Sequence, residues 1–162
     1  MALPINIEDL LNKRKVESNR IEFKTGWNPD KIYHTVCAFA TDLENTGGGY
    51  ILVGVEEENG VAKRPVKGLN EKEIDDILKD MVGYDAKIEP AYMTKVSPEI
   101  VDGKPILVIW VPSGLNRPYS VMESVVAKKS TPKFYVRSKS STIEAKGEIL
   151  DQVRALANRV PF

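Results

Sequence analysis

Residues 46–60, TGGGYILVGVEEENG, place a turn, a buried strand and a second turn in one short stretch. Residues 50–55 are an uninterrupted apolar run of strand length, which is typical of a strand covered on both faces. The three glycines before this run end a helix, and Asn59 with Gly60 after it supplies a tight hairpin turn. The stretch therefore predicts a central strand with further elements packed on both faces of its sheet.

The segments around this strand alternate between helical and extended patterns. Apolar residues recur at helical spacing over residues 29–45 and over residues 70–83, where Asn70 is the expected cap. Shorter helices are predicted at the two ends, within residues 1–16 and over residues 143–160. The remaining strands are predicted in residues 20–24, 91–100, 104–111 and 132–138.

This mixture predicts an α+β fold, with a mixed, largely antiparallel sheet flanked by helices. A chain of 162 residues has the usual size of one domain, so residues 1–162 are expected to form a single domain.

Composition and charge narrow the class of protein. The 23 basic residues balance the 23 acidic ones, so a nucleic-acid surface would require charges that are segregated by the fold. The single cysteine, Cys37, lies in an apolar helical run and fits a buried thiol in a reducing compartment. Neither a signal peptide nor a membrane span is visible, so we expect a cytoplasmic protein without a membrane partner.

Two further features have simple structural explanations. His34 is the only histidine and the chain has no cysteine pair, so the sequence gives little support to a zinc site. The three glycines follow a helix and precede a strand, which is the reverse of the order in a phosphate-binding loop.

Acidic residues cluster near two of the predicted strands. Glu17 and Glu22 belong to residues 17–24, ESNRIEFK, and Glu56 and Glu57 follow the central strand. If these strands pair, the carboxylates could gather at one end of the sheet and hold Mg²⁺ or Mn²⁺. The alternative is a solvated strand edge on which Glu22 pairs with Lys24, and the residues alone favour this alternative.

Basic residues concentrate in residues 127–141, AKKSTPKFYVRSKSS, which contain no acid. Bases with interleaved aromatic rings and hydroxyl groups suit contacts to phosphates and to exposed nucleobases. The alternative is a hairpin on whose exposed edge the lysines prevent pairing with another chain. The residues alone do not decide between the two interpretations. The candidate nucleic-acid-binding residues are Lys24, Arg117, Lys128, Lys129, Lys133, Tyr135, Arg137 and Lys139.

Six motifs follow one another along the chain: ESNRIEFK (17–24), AFATDLENTGGGYILVGVEEENG (38–60), VKGL (66–69), KPILVIWVP (104–112), NRPY (116–119) and FYVRSKSSTIEA (134–145). In this order the set resembles the Schlafen-type AlbA-like domain, a family described as DNA-binding and common in bacterial regulators. The resemblance covers almost the whole chain from Glu17 onward. It implies an α+β fold with a mixed sheet, and a role in nucleic-acid binding.

The same resemblance implies a second activity. Some eukaryotic Schlafen proteins are ribonucleases with a three-carboxylate site, and two of its acids form a Glu-x4-Glu motif that Glu17 and Glu22 match. The third acid follows the later strand, where Glu56 or Glu57 stands in place of the usual aspartate. In such an enzyme Glu17, Glu22 and Glu56 would be the ligands of Mg²⁺ or Mn²⁺.

The sequence therefore supports three functions. The first is a nucleic-acid-binding domain of a bacterial-type transcriptional regulator, which binds DNA rather than RNA, needs no cofactor and does not catalyse a reaction. The second is a metal-dependent endoribonuclease with the three-carboxylate site. The third is a protein-interaction or oligomerisation module, and assembly into a homo-oligomer stays open for all three.

Overall fold

The computed structural model of the chain describes residues 3–14 and 16–158. These residues form four α-helices and eleven β-strands, which confirms the predicted α+β class. In chain order the elements are α1 (Ile7–Leu11), β1 (Ile21–Lys24), α2 (Pro29–Thr41), β2 (Gly49–Val53), β3 (Glu57–Glu58), β4 (Val61–Ala62), α3 (Glu71–Asp85), β5 (Ile88–Glu89), β6 (Lys95–Val101), β7 (Lys104–Val111), β8 (Ser120–Met122), β9 (Pro132–Lys133), β10 (Tyr135–Ser138), β11 (Ser141–Glu144) and α4 (Gly147–Ala155).

The strand β2 lies inside a four-stranded sheet with the order β1-β2-β7-β6. β1 runs parallel to β2, whereas the β2–β7 and β7–β6 pairs are antiparallel. All residues of β2 are buried: Ile51 and Val53 pack in one core cluster with α2, and Tyr50 and Leu52 pack in a second cluster with α1. The prediction of a central strand that is covered on both faces is therefore confirmed, and the strand shares its sheet with β1.

The glycines at the start of β2 allow the strand to approach its neighbours closely. Gly48 has a φ of +85°, and a Cβ at this position would overlap the carbonyl oxygen of Val111. A Cβ on Gly49 would lie 2.5 Å from the ring of Phe39 and 2.7 Å from the carbonyl oxygen of Arg20. Because only glycine fits these positions, the glycine run lets β2 lie directly against α2, β7 and the start of β1.

Capping residues set the ends of the two long helices. Asn70 caps the start of α3, as the sequence predicts, and it forms a capping box with Glu73. The helix α2 ends at Thr41, before the predicted end at residue 45, because Asp42 adopts a left-handed backbone conformation with a φ of 44°. The Asp42 carboxylate then accepts hydrogen bonds from the backbone N–H groups of Thr46 and Gly47, both at 2.9 Å.

The two terminal helices differ from the prediction. The first helix covers only Ile7–Leu11 of the predicted residues 1–16, since Lys13 takes a left-handed backbone conformation with a φ of 52°. The last helix begins at Gly147 instead of residue 143, because Ser141–Glu144 pairs with β10 as the strand β11. A 3₁₀ turn over Leu156–Asn158 follows α4.

Parts of these two predictions fall on residues 1, 2, 15, 159 and 160, which lie outside the described residues. Across the described helices, none is long and apolar enough to cross a membrane.

Candidate nucleic-acid interface

Two hairpins in the second half of the chain carry most of the predicted nucleic-acid-binding residues. The strands β8 and β9 are joined by residues 123–131, here called the basic loop, which contains Lys128 and Lys129. The strands β10 and β11 pair from Tyr135 to Glu144, and residues 138–141 form their turn, here called the hairpin turn, with Lys139 at its tip.

The helix α2 holds both hairpins. The Nε2 atom of His34 lies 2.7 Å from the carbonyl oxygen of Glu123, at the start of the basic loop, and donates a hydrogen bond to it. The His34 ring also stacks on the ring of Tyr135 in β10, with 4.0 Å between centroids and 10° between planes. The hydroxyls of Thr35 and Thr142 are hydrogen-bonded at 2.8 Å, which ties β11 to the same helix. The two hairpins therefore share one support.

Three of the predicted lysines are available to a ligand. Lys128, Lys129 and Lys139 are exposed, and none of them makes a side-chain hydrogen bond or ion pair with another described residue. Lys139 has a φ of 58° at the tip of the hairpin turn, where Ser138 and Ser140 are also exposed. Cationic groups without internal partners can contact phosphate without first breaking an ion pair.

Arg137 was predicted to contact nucleic acid, but it lies inside the fold. Its side chain is only 8% exposed, and its Nη1 atom donates to Glu22 at 2.7 Å. Its Nε atom donates to the carbonyl oxygen of Asn19 at 2.9 Å, and its guanidinium lies 5.0 Å from the centre of the Phe39 ring. Arg137 thus joins the β10–β11 hairpin to β1 and α2.

Lys133 and Tyr135 are also engaged within the protein. The Nζ atom of Lys133 lies 2.6 Å from a carboxylate oxygen of Glu123 and 3.3 Å from one of Glu144. The hydrogen bond to Lys133 holds the pKa of Glu123 below its usual value, and both carboxylates raise the pKa of Lys133. Tyr135 is buried beneath His34, and this burial raises the pKa of its phenol to about 12. Its ring has no free face for stacking on a nucleobase in this arrangement.

The remaining two candidates lie away from the basic loop and the hairpin turn in sequence. Arg117 donates from Nη1 to the carbonyl oxygen of Asp42 at 3.0 Å and to Oδ1 of Asn45 at 2.7 Å, so it supports the loop after α2. Lys24 is half-buried at the end of β1 and has no side-chain partner among the described residues. Of the two, Lys24 is the one whose side chain is not held by a hydrogen bond to another described residue.

The structure separates the predicted metal ligands. Glu17 precedes β1 whereas Glu56 and Glu57 follow β2, and parallel strands place these two positions at opposite ends of the strand pair. Glu57 lies 2.6 Å from Nζ of Lys13, and Glu56 lies 3.8 Å from Nζ of Lys63.

Glu22 is held by Arg137 and its side chain is 19% exposed. Within the part of the chain that the structure describes, no group of three or more His, Cys, Asp or Glu side chains is placed to hold a metal ion. The sequence favoured a solvated strand edge but left open that the carboxylates gather at one end of the sheet. They do not gather here, because the strands that carry them run parallel.

Sequence reasoning missed two residues that shape the interface. Asp30 looks like an ordinary acid in the first turn of α2, and His34 looks like an isolated polar residue. Their partners are Val125 and Glu123, which are roughly ninety residues away along the chain. A contact of this sequence separation has no local signature in a single sequence.

Comparisons with known proteins agree with this architecture. A family model described as Schlafen, AlbA_2 matches residues 17–159. None of the curated proteins matches the chain significantly.

Two solved structures are similar to the chain. One is the solution NMR structure of the N-terminal domain of a protein from Nitrosomonas europaea that is described as related to the ATP-dependent DNA helicase RecG. Its TM-score is 0.52, its sequence identity is 28%, and the match covers 82% of each chain. The other is the crystal structure of the DIP2311 protein from Corynebacterium diphtheriae, with a TM-score of 0.51 and 20% identity. That match covers 85% of this chain and 24% of the Corynebacterium chain, and it concerns the fold alone.

Proposed function

Because the chain belongs to the Schlafen AlbA_2 family, we propose that it is a nucleic-acid-binding domain that contacts the phosphate backbone through the basic loop and the hairpin turn. Lys128, Lys129 and Lys139 are the contacting residues, and Lys24 is an additional contact. DNA is the proposed ligand, and the proposed setting is a transcriptional regulator in the cytoplasm.

The observation that carries this proposal is the separation of the basic residues into two groups. Lys133 and Arg137 are neutralised by carboxylates, whereas Lys128, Lys129 and Lys139 have no internal partner among the described residues. The chain has no net charge, so an attraction to phosphate must come from such uncompensated local charge. The exposed hydroxyls of the hairpin turn add donors of the kind that bind phosphate oxygens.

DNA is favoured over RNA by one of the comparisons. The similar domain from Nitrosomonas europaea belongs to a protein that is described as related to a DNA helicase. The two structures share a fold over most of both chains, and on this basis we propose DNA as the ligand of this chain.

Fluorescence anisotropy with labelled duplex DNA and with an RNA hairpin of matching sequence tests the proposal. Binding should weaken as salt rises, because each neutralised phosphate releases counterions. The triple variant Lys128→Ala/Lys129→Ala/Lys139→Ala should bind more weakly. On duplex DNA its salt slope should be smaller by about 0.9 for each phosphate that the variant no longer neutralises.

The matched control removes three exposed lysines elsewhere, Lys67, Lys72 and Lys79, and changes the net charge equally. Equal reductions of affinity in the two triple variants would show that the interface is not at the basic loop and hairpin turn. Tighter binding to the RNA hairpin than to the duplex would reassign the ligand. No salt-dependent binding to either would favour a protein-interaction module.

Metal-dependent cleavage of RNA is the competing proposal, and it rests on the Glu-x4-Glu spacing of Glu17 and Glu22 within the matched family region. It predicts cleavage by the purified protein in Mg²⁺ or Mn²⁺, with loss of cleavage in Glu22→Gln.

A further inference from the structure

The basic loop has a fixed shape that its own hydroxyl groups maintain. The backbone N–H of Glu123 donates to the carbonyl oxygen of Thr131 at 2.9 Å and closes the loop. The hydroxyl of Ser130 accepts from the N–H of Ser124 at 2.8 Å, and the hydroxyl of Ser124 accepts from the N–H of Ala127 at 3.0 Å. These bonds satisfy backbone groups that would otherwise need water.

The loop is also fixed to α2 at two points. Val125 is 3% exposed and packs in the main core cluster, and its backbone N–H donates to Oδ1 of Asp30 at 2.7 Å. The carbonyl oxygen of Glu123 accepts from His34 at 2.7 Å. Asp30 and His34 are four residues apart and therefore lie on the same face of the helix, opposite loop residues 123 and 125.

We propose that Asp30 and His34 are positioning residues, which hold the basic loop so that Lys128 and Lys129 face the nucleic acid in a preformed arrangement. This inference rests on the proposed function and identifies two residues that would determine the affinity without contacting the nucleic acid. Neither residue touches the ligand. Their contribution is that the loop is already ordered before binding, so the complex does not bear the entropic cost of ordering it.

The effect of the Asp30 hydrogen bond can be measured by comparing two variants that have the same charge. Asp30→Ala and Asp30→Asn both remove one negative charge, but the asparagine Oδ1 can still accept the Val125 N–H bond. In the full chain, Asp30→Ala should bind duplex DNA about 3- to 10-fold more weakly than Asp30→Asn, the range expected for one hydrogen bond of ordinary strength. Asp75→Ala, at an exposed acid on α3, gives the effect of the charge change alone.

Two further measurements separate positioning from a general loss of stability. In the Lys128→Ala/Lys129→Ala background, Asp30→Ala and Asp30→Asn should bind equally, because the lysines through which Asp30 acts are gone. Hydrogen exchange should become faster over residues 124–131 in Asp30→Ala, while the exchange of β2 and β7 stays unchanged. If Asp30→Ala does not fold, the same comparison is made between His34→Ala and His34→Gln, since the glutamine amide can donate to Glu123.

Equal affinity of Asp30→Ala and Asp30→Asn in the otherwise unchanged chain would overturn the inference. If the two lysine substitutions themselves leave binding unchanged, the interface of the proposed function is wrong. In that case faster exchange of residues 124–131 in Asp30→Ala would still establish that Asp30 orders the loop.

Discussion

Arg137 and Lys139 are two residues apart in the same hairpin and carry the same charge, yet their surroundings are opposite. Arg137 is almost fully covered, and it bonds to Glu22 and to the carbonyl oxygens of Asn19 and Ile21. Lys139 projects from the turn and has no side-chain partner among the described residues. In the strands of the hairpin, the positive charge of Arg137 stabilises the fold. In the turn, the positive charge of Lys139 is accessible to a ligand.

This comparison shows that a run of basic residues in a sequence does not by itself predict a positively charged surface. Residues 127–141 contain five lysines and arginines and no acid, but Lys133 and Arg137 are paired with acids that lie outside the run. Reversal of Lys133, Arg137 and Lys139 to glutamate would therefore mix a loss of stability with any loss of binding. The basic residues that are paired with acids and those that are not must therefore be substituted in separate variants.

The largest expected effect is on stability at Arg137. Arg137→Ala should lower the free energy of unfolding by about 3 kcal/mol, because it leaves the partly buried Glu22 without its cation and two carbonyl oxygens without a donor. Urea denaturation followed by circular dichroism measures the change. Lys139→Ala should change the free energy of unfolding by less than about 0.5 kcal/mol, as is usual for an exposed side chain. Similar losses of stability in the two variants would remove the distinction between hairpin body and turn.

A smaller effect is expected at Lys133, and it should depend on pH. Lys133 lowers the pKa of Glu123 from its usual value of 4.5, so this pair stabilises the fold above that pH and loses its contribution as pH falls through the lower, folded value. The melting temperature of Lys133→Met should therefore lie below that of the unchanged protein at pH 6, and the difference should shrink towards pH 3. At Lys128, which has no such partner, a methionine should give a difference that does not vary with pH in this range. If the melting temperature of Lys133→Met is lower by the same amount at every pH, the attraction between Lys133 and Glu123 does not contribute to stability.

The smallest expected effect concerns the carboxylates. Glu22 is already paired with Arg137, and Glu17 lies at the other end of the strand pair from Glu56. Addition of Mn²⁺ should therefore leave the melting temperature unchanged, since a ligand raises it only by binding the folded state. A rise that is lost in Glu22→Gln but kept in Glu71→Gln, together with cleavage of RNA, would establish the metal-dependent nuclease instead.

Local patterns were sufficient to predict much of the fold. The apolar run of β2, the Asn70 cap of α3 and the Asn59-Gly60 turn each depend on neighbouring residues, and the structure confirms all three. The last helix was predicted to start too early. Its helical spacing extends back through Ile143, but pairing of this residue with Val136 makes the segment a strand.

The arrangement of the site depended on contacts between distant parts of the chain. The run of bases was visible in the sequence, but Glu22 and Asn19, which bind the Arg137 side chain, are more than one hundred residues away from it. The parallel direction of β1 and β2, which separates the acids, follows from the crossover through α2 and not from either strand. Single-sequence reasoning therefore identified candidate charges but could not tell which of them are neutralised.

The two edges of the central sheet have a consequence for how the protein behaves at high concentration. β1 and β6 are the edge strands, and an exposed edge is a template on which a second molecule can add a strand. At β1, Arg137 donates to the carbonyl oxygen of Ile21, and it also donates to that of Asn19 just before the strand. At β6, Pro98 has no N–H to donate. The contact that removes Arg137 from the binding surface thus also blocks part of one edge against intermolecular strand pairing, which is the first step of aggregation.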